Sequence, residues 1–455
     1  MIETGNGTRQ TVCLIAAISL AACSKVEPAA GAHVSVSPAI ATAPGPAAAP
    51  SRALGPAAAV GKLLFFDRTL SASGELACAT CHDPDHAYAP PNHLAVQLGG
   101  PQRNSPGRRA TPSLRYKEFT PGYADLLDNP DGFSAPGPGG GFAWDGRADS
   151  LAEQAKAPLL SPFEMSNTDA ADVIKKLRAS SSAAAFIQTF GAAALANVDL
   201  AFSKVQLALQ SFQLEDVSFH PYNSKYDLFL YKKPGGELTA AEQRGLTVFR
   251  DQKSGNCIGC HLPDASMDDG APAQFTDYSF AAIGVPRNPQ IPANRDRRYG
   301  DLGICGPLRA DHGRFPEYCG LFKTPTLRNV ATRGVFFHNG VIHSLEQALR
   351  FYNTRDTRPE LWYPTVGGRA KAKPDPDFPR YGLITTQYVG GRVQKYDDLP
   401  PAHRPNVDKQ LPLDGRAAGS KPPLSERDVN DLVCFLRTLD DDYHPGTPPA
   451  TGCTD

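Results

Sequence analysis

The chain has 455 residues, more than one hydrophobic core usually organises, so two domains are expected. Its 46 Lys and Arg nearly balance 47 Asp and Glu, for a formal charge of -1 with no basic stripe. That excludes the electrostatic footprint of a nucleic-acid-binding protein. With 41% hydrophobic residues the composition suits a globular protein, while 41 Gly and 42 Pro predict long ordered loops between modest helices, and disorder only near the N-terminus.

In chain order, Val12 to Ala22 is an apolar run too short to span a bilayer comfortably, and it ends in Leu20-Ala21-Ala22-Cys23. This tetrapeptide resembles a bacterial lipobox, in which the Cys becomes the lipidated first residue. Residues 1–22 are therefore expected to be a lipoprotein-type signal peptide and Cys23 the lipid anchor. The product would be periplasmic, held to a membrane by lipid alone. An ordinary secretory signal, or a chain start set slightly early, is the alternative, because only Arg9 charges the segment ahead of the apolar run. Residues 23–57, rich in Ala, Pro, Ser and Gly without apolar periodicity, read as a flexible tether.

Beyond the tether, motifs recur in the same order. Gly61-Lys62-Leu63-Leu64-Phe65-Phe66-Asp67 precedes Cys78-Ala79-Thr80-Cys81-His82-Asp83-Pro84-Asp85, and Gly245-Leu246-Thr247-Val248-Phe249-Arg250-Asp251 precedes Cys257-Ile258-Gly259-Cys260-His261-Leu262-Pro263-Asp264. Thr111-Pro112-Ser113-Leu114-Arg115 is answered by Thr324-Pro325-Thr326-Leu327-Arg328. Trp144-Asp145-Gly146, with Ser150-Leu151 and Glu153-Gln154-Ala155 behind it, is answered by His338-Asn339-Gly340 with Ser344-Leu345-Glu346-Gln347-Ala348. Four matches in one order indicate an internal duplication, with a domain of residues 58–235 and another of 236–455, divided near Pro234-Gly235-Gly236.

The fold is expected to be mainly α: two small helical domains, each too loop-rich to be stable without a bound group. Thr239 to Glu242 forms a capping box before Leu246 and Phe249. Ser425 precedes Val429, Leu432, Val433 and Leu436 at i, i+3, i+4 and i+7. Phe202, Val205, Leu207, Leu209 and Phe212 lie in a run without Pro or Gly, and Ser150 and Ser344 each open a helix. No sustained period-two pattern marks a strand.

Ten cysteines sharpen the chemistry. Cys13 leaves with the leader. Cys78, Cys81, Cys257 and Cys260 form two C-x-x-C pairs, each followed by His. Two thiols add across porphyrin vinyl groups while the adjacent His ligates iron, so the pattern predicts two covalently bound haem c groups with His82 and His261 as proximal ligands. A zinc site would need two further ligands at matching spacing, and a thioredoxin-like reading leaves the two His unexplained. Cys305, Cys319, Cys434 and Cys453 remain. Four cysteines allow three connectivities, and proximity along the chain favours Cys305 with Cys319 and Cys434 with Cys453. An electron carrier commonly fills its second axial position with Met or His. The chain's three methionines are Met1, Met165 and Met267; the first is lost with the leader and Met267 follows His261 too closely to cross the ring.

The order of motifs from Gly61 to the last helix resembles the bacterial dihaem cytochrome c peroxidases and their MauG-type relatives. The resemblance rests on the two C-x-x-C-H sites, Trp144-Asp145-Gly146-Arg147, Gln154, Glu164-Met165, Lys323-Thr324-Pro325-Thr326-Leu327-Arg328-Asn329 and His338-Asn339-Gly340. It implies that the first haem is peroxidatic, with Glu164 over its open face as acid–base group, Gln154 positioning the oxidant and Trp144 relaying electrons between haems. A buried carboxyl is suited to moving a proton between peroxide oxygens. Read without the family, Glu164 is a surface carboxylate, Gln154 a helix-surface amide and Trp144 a core residue.

Tyr352 falls where ordinary members carry a Met ligand and MauG-type members a Tyr, so the resemblance implies that its phenol closes the second haem and stabilises high oxidation states of iron. Some members cap the resting first iron with a His from the loop after the first C-x-x-C-H. This loop offers His86 and His93, neither clearly equivalent, and an open first haem is expected, with His93 the main challenge to it. The family's inter-haem calcium is an open expectation whose Asn ligand falls at Asn104 or Ala110, depending on alignment. His338 is expected near the second haem as a structural residue rather than a ligand.

MauG oxidises a partner protein through a surface Trp beside its second C-x-x-C-H. The corresponding segment, Lys253-Ser254-Gly255-Asn256, contains none. The lipobox and Leu361-Trp362-Tyr363 look more like the methanobactin-associated, MbnH-like branch, where the oxidised group is a Trp of a partner. The leading expectation is a dihaem oxidase that uses hydrogen peroxide to reach a ferryl state and modify a partner protein's side chain. A peroxide-scavenging peroxidase fed by a small redox protein, and a dihaem electron carrier without catalysis, are the alternatives.

Overall fold

Local signals set the helix ends. The computed structural model describes residues 53–130, 135–266, 270–367, 369–370, 388–389 and 391–455. The leader, Cys23, all but the end of the tether and Met267 lie outside the described residues. The Ser150 hydroxyl accepts the Glu153 N–H at 3.1 Å to start the helix Leu151–Leu160, and Ser344 does the same for Gln347 at 3.3 Å to start Leu345–Thr354. Thr239 and Glu242 cap Ala240–Arg250 reciprocally. Ser425 caps Glu426–Arg437, with Asp428 returning the bond to the Ser425 N–H at 2.8 Å. The run around Phe202 to Phe212 lies in an 18-residue helix, Val198–Glu215. Strands among the described residues come only as five antiparallel pairs of two to four residues, in keeping with the missing period-two pattern. No helix among these residues is long and apolar enough to cross a membrane.

Two hydrophobic cores form. The first draws on residues from Val60 to Phe219 and the second on residues from Tyr226 to Leu439. Each is built on one pair of crossing helices, and the recurrent glycine lies at both crossings. The helix Pro56–Phe66 packs on Val198–Glu215, where a Cβ on Gly61 would sit 1.9 Å from the Ala208 carbonyl oxygen. The helix Ala240–Arg250 packs on Glu426–Arg437, where a Cβ on Gly245 would sit 2.0 Å from that of Asp431. Only glycine permits backbones this close. The shared spacing then sets Phe65 against Phe212 at 5.5 Å between ring centroids, and Phe249 against Phe435 at 5.2 Å. Such edge-on pairs add roughly 0.5–1.5 kcal/mol beyond the area they bury.

The second half is also cross-linked. Cys305 is bonded to Cys319 and Cys434 to Cys453, over sequence separations of 14 and 19 residues. In chain-entropy terms, loops of this length contribute about 3 kcal/mol each, offsetting a half rich in irregular backbone.

The two halves meet in a reciprocal contact. The Ala110 N–H donates to the His338 carbonyl at 2.7 Å, and the Lys323 N–H donates to the Trp144 carbonyl at 2.9 Å. In the motif alignment Ala110 corresponds to Lys323, one residue before T-P-x-L-R, and Trp144 to His338, two residues before the glycine. Each half therefore offers the same two positions to the other, the pattern of a twofold contact. Around it, Arg109 reaches across to both oxygens of Asp301 at 2.7 Å while its Nη1 bonds Asp145 at 2.7 Å, and Arg309 returns a bond to the Asp145 carbonyl at 2.8 Å. These groups are buried, so the network fixes the geometry of the contact more than it adds net stability.

Gly61→Ala and Gly245→Ala should each lower stability by roughly 1–3 kcal/mol, because the added methyl must displace a facing backbone. Denaturant unfolding measures it. Gly137→Ala, whose methyl would meet nothing within 4 Å, is the control for the close approach.

Candidate functional site

Two cavities open on either side of the reciprocal contact. The first, about 1880 Å³ counting its mouth, is lined by Cys78, Cys81 and His82 and also by Gln154 and Glu164. The thiols project from a single helical turn, Cys78–Cys81, and remain free rather than joined to each other. Burial pushes them up to about 12 and about 11, so both are neutral. The His82 Nδ1 lies 3.1 Å from the Tyr88 carbonyl, which fixes the proton on that nitrogen and leaves Nε2 to ligate. Burial, the largest influence, lowers the His82 imidazole to about 4, so it stays neutral as a ligand must.

Glu164 is held by backbone. The helix Leu151–Leu160 ends at Ser161, whose carbonyl accepts the Glu164 N–H at 3.0 Å, and the Gly100 N–H donates to the Glu164 carbonyl at 2.8 Å. Protein atoms leave Glu164 exposed, and it lines the cavity. Its carboxyl is accordingly raised above the ordinary range, chiefly by burial, with the Ser161 hydroxyl and the Arg147 guanidinium offsetting part of the rise. Gln154 lies one turn from the Ser150 cap, on the same cavity wall. His86 and His93 take no part in this wall: His86 is exposed beside Asp83 at 2.8 Å, and His93 is exposed with its Nδ1 3.4 Å from the Gly334 carbonyl.

The second cavity, about 1730 Å³ on the same measure, repeats the plan with different chemistry. Cys257, Cys260 and His261 line it, the His261 Nδ1 lies 2.9 Å from the Phe275 carbonyl, and burial again lowers the imidazole. Among the described residues no glutamate lines this cavity. Tyr352, from the helix Leu345–Thr354, does so instead. Burial raises its phenol, and the nearby Cys260 and Cys257 add to the rise. Phe337 and Phe351 flank its ring at centroid distances of 5.8 and 6.2 Å. His338 also lines the cavity, stacked on Phe322 at 3.6 Å.

The wall between the cavities consists of Pro112, Ser113, Lys117 and Trp144, which line both. The Trp144 indole N–H donates to the Ala110 carbonyl at 2.7 Å, which fixes the ring at the point where the halves meet. Each cavity thus offers two thiols outside any disulfide and an imidazole with one nitrogen available, the donor set that a c-type haem requires. Sequence reasoning singled out these donors but missed Lys117 and Arg333, which line the cavities as cations, and took Lys323 only as a motif letter. Nothing in their spacing marks them; only the folded wall brings them together. As for calcium, Asn104 is exposed and Ala110 has no side-chain oxygen, and no cluster of three or more His, Cys, Asp or Glu suited to a metal occurs among the described residues.

Three comparisons bear on this arrangement. A family model for di-haem cytochrome c peroxidase matches residues 56–234. The methylamine utilization protein MauG of Paracoccus denitrificans is 33% identical over 393 residues, covering 84% of this chain and 87% of its own. The diheme peroxidase BthA from Burkholderia thailandensis has a crystal structure that superposes with a TM-score of 0.72 at 36% identity, over 89% of this chain and 91% of that one. A MauG-like protein associated with microbial copper homeostasis superposes at 0.55 over 88% and 93% of the two chains; at 21% identity it shares the fold alone.

Trp144→Phe keeps an aromatic ring but removes the donor to Ala110, leaving a buried carbonyl unpaired. Unfolding in guanidinium should show a loss of about 1–3 kcal/mol.

Proposed function

Because the chain belongs to the dihaem cytochrome c peroxidase and MauG family, we propose that it uses hydrogen peroxide to oxidise a side chain of a partner protein. The reading includes covalent attachment of both haems through Cys78, Cys81, Cys257 and Cys260, an origin of the two halves by duplication, and export with a lipid on Cys23. The observation that carries it is the contrast between the cavities: Glu164 and Gln154 line one, Tyr352 the other. A scavenging enzyme has no need to close its second haem with a hard, anionic donor. An enzyme that must hold oxidising power until a slow protein substrate arrives does.

Bound haem would supply the iron that activates peroxide at the first site and a store of oxidising equivalents at the second. The protein's part is proton movement and positioning. Reduction of H2O2 takes two electrons and two protons and releases two waters. Glu164, as carboxylate, accepts the proton of the near oxygen and delivers it to the far one, which departs as water; the Gln154 amide holds the peroxide in line. The two electrons come finally from the partner's side chain, one at a time. Trp144, on both walls and fixed to Ala110, is the group through which they pass between the halves.

Glu164→Gln should slow peroxide consumption by about 10²–10⁴-fold, the usual contribution of a positioned acid–base group. Since the raised carboxyl stays protonated to higher pH than usual, the rate rises as pH climbs through its value. That acid limb should lie above the ordinary glutamate range and vanish in the Gln variant; a limb that persists would assign the proton elsewhere.

Tyr352→Phe should alter the absorption of the second haem alone and shorten the life of the oxidised protein formed by peroxide without reductant. In the native protein that form should last long enough to react with an added partner. Return to rest only on mixing with a reduced small redox protein would favour scavenging instead.

A further inference from the structure

Buried cations in this protein are matched by carboxylates almost everywhere. Arg328 is paired with Asp227, Arg109 with Asp145 and Asp301, Arg115 with Asp441, and Arg355 with Asp356. The wall between the cavities breaks this pattern. Lys117 lines both cavities, and Lys323 and Arg333 line the second. Among the described residues, no carboxylate oxygen lies within 4.0 Å of the charged end of any of the three. Burial pushes Lys117 down to about 8 and Arg333 to about 10, and lowers Lys323 well below its ordinary value, with Lys117 adding to the depression.

Their donors are also mostly unused. Lys323 gives one N–H to the Gly141 carbonyl. Arg333 uses Nε on Val335 at 3.3 Å and Nη2 on Thr111 at 3.1 Å, leaving Nη1. Among the described residues, the Lys117 ammonium donates to none. Glu118 attracts Lys117 and Asp277 attracts Lys323 from beyond contact distance, but a poorly solvated cation with no carboxylate in contact is still unfavourable, and Lys117 is repelled by Arg333 and in turn repels Lys323. Such a cluster persists where an anion completes it.

The anion is constrained by place. A macrocycle held by Cys257, Cys260 and His261 would occupy the second cavity, which Lys117, Lys323 and Arg333 also line, and would hinder a freely diffusing anion. Asp408 also lines this cavity but pairs with none of the three, so the carboxylates that could complete the cluster are those the macrocycle would bring. We propose that Lys117, Lys323 and Arg333 form a carboxylate site whose ligands are the propionate side chains of the bound haems, with Lys117 receiving propionates from both cavities. This rests on the dihaem reading. It makes Lys117 a positioning residue common to both haems, so that removing one charge perturbs two metal centres.

The holoprotein and its Lys117→Met, Lys323→Met and Arg333→Met variants provide the test, with haem content counted by pyridine haemochrome. Resonance Raman propionate-bending bands should shift in each variant, in Lys117→Met for both haems and in Arg333→Met for the second. An unpaired propionate favours the ferric state, so the oxidised-to-reduced ratio should rise at least tenfold at fixed potential, a fall of about 59 mV for a one-electron couple. Lys117→Arg should restore both readouts. Two haems per chain with bands and potentials unchanged in all three variants overturns the site while leaving the dihaem reading intact. Fewer than two haems in the native protein overturns both. Should a variant yield no holoprotein, a crystal structure of the native one decides. Propionate oxygens within about 3.2 Å of Lys117 Nζ support the site, and their absence there overturns it.

Discussion

Two backbone hydrogen bonds, from Ala110 to His338 and from Lys323 to Trp144, govern how this molecule is put together. They are reciprocal between corresponding positions, so neither half can shift along the other without breaking both. Because the bonded residues sit immediately before T-P-x-L-R and inside the two glycine turns, the contact aligns the cavities as well as the cores. Pro112 and Pro325 belong to the same segments, and their carbonyls face His82 and His261. The join between halves and the orientation of both imidazoles are thus one structural decision. Trp144 stands between the cavities for the same reason: its carbonyl makes the contact and its indole closes on Ala110.

On this symmetric frame the chemistry is deliberately unequal. The corresponding helices Leu151–Leu160 and Leu345–Thr354 are each ten residues long, but Pro158 stands in the first where Tyr352 stands in the second, and Glu164 comes from the turn beyond the first helix. On the proposed reading, a carboxyl that can change protonation would serve a site where peroxide is split. On the same reading, a phenol that can ligate as an anion would serve a site where oxidising power is held. The polar groups around the join differ in purpose too. Arg109 and Arg147 balance Asp145 and Asp301 and set geometry, whereas Lys117, Lys323 and Arg333 have no carboxylate in contact among the described residues.

Much of this was legible in the sequence. The capping signals at Ser150, Thr239, Ser344 and Ser425 located four helices, because a cap is a local interaction that needs only neighbouring residues. Gly61 and Gly245 could be read as corresponding positions, though the reason for glycine, close approach to a backbone remote in sequence at Ala208 or Asp431, could not. The thiols and imidazoles were legible because the C-x-x-C-H spacing occurs twice in the sequence. Glu164 came only from likeness to a family, as its position follows a proline turn with no pattern of its own. The cation wall was invisible: Lys117 and Arg333 are far apart in sequence, and what distinguishes them is the lack of carboxylate partners, a property of the folded state alone.

Low-temperature electron paramagnetic resonance of the resting, fully oxidised holoprotein tests the central claim most directly, for it counts haems by coordination rather than by name. Cavities as unlike as these require one high-spin and one low-spin ferric signal of equal weight. Two low-spin signals would mean that both irons are closed and that Glu164 overlooks no vacant position; a single signal integrating to one iron per chain would remove the second site altogether.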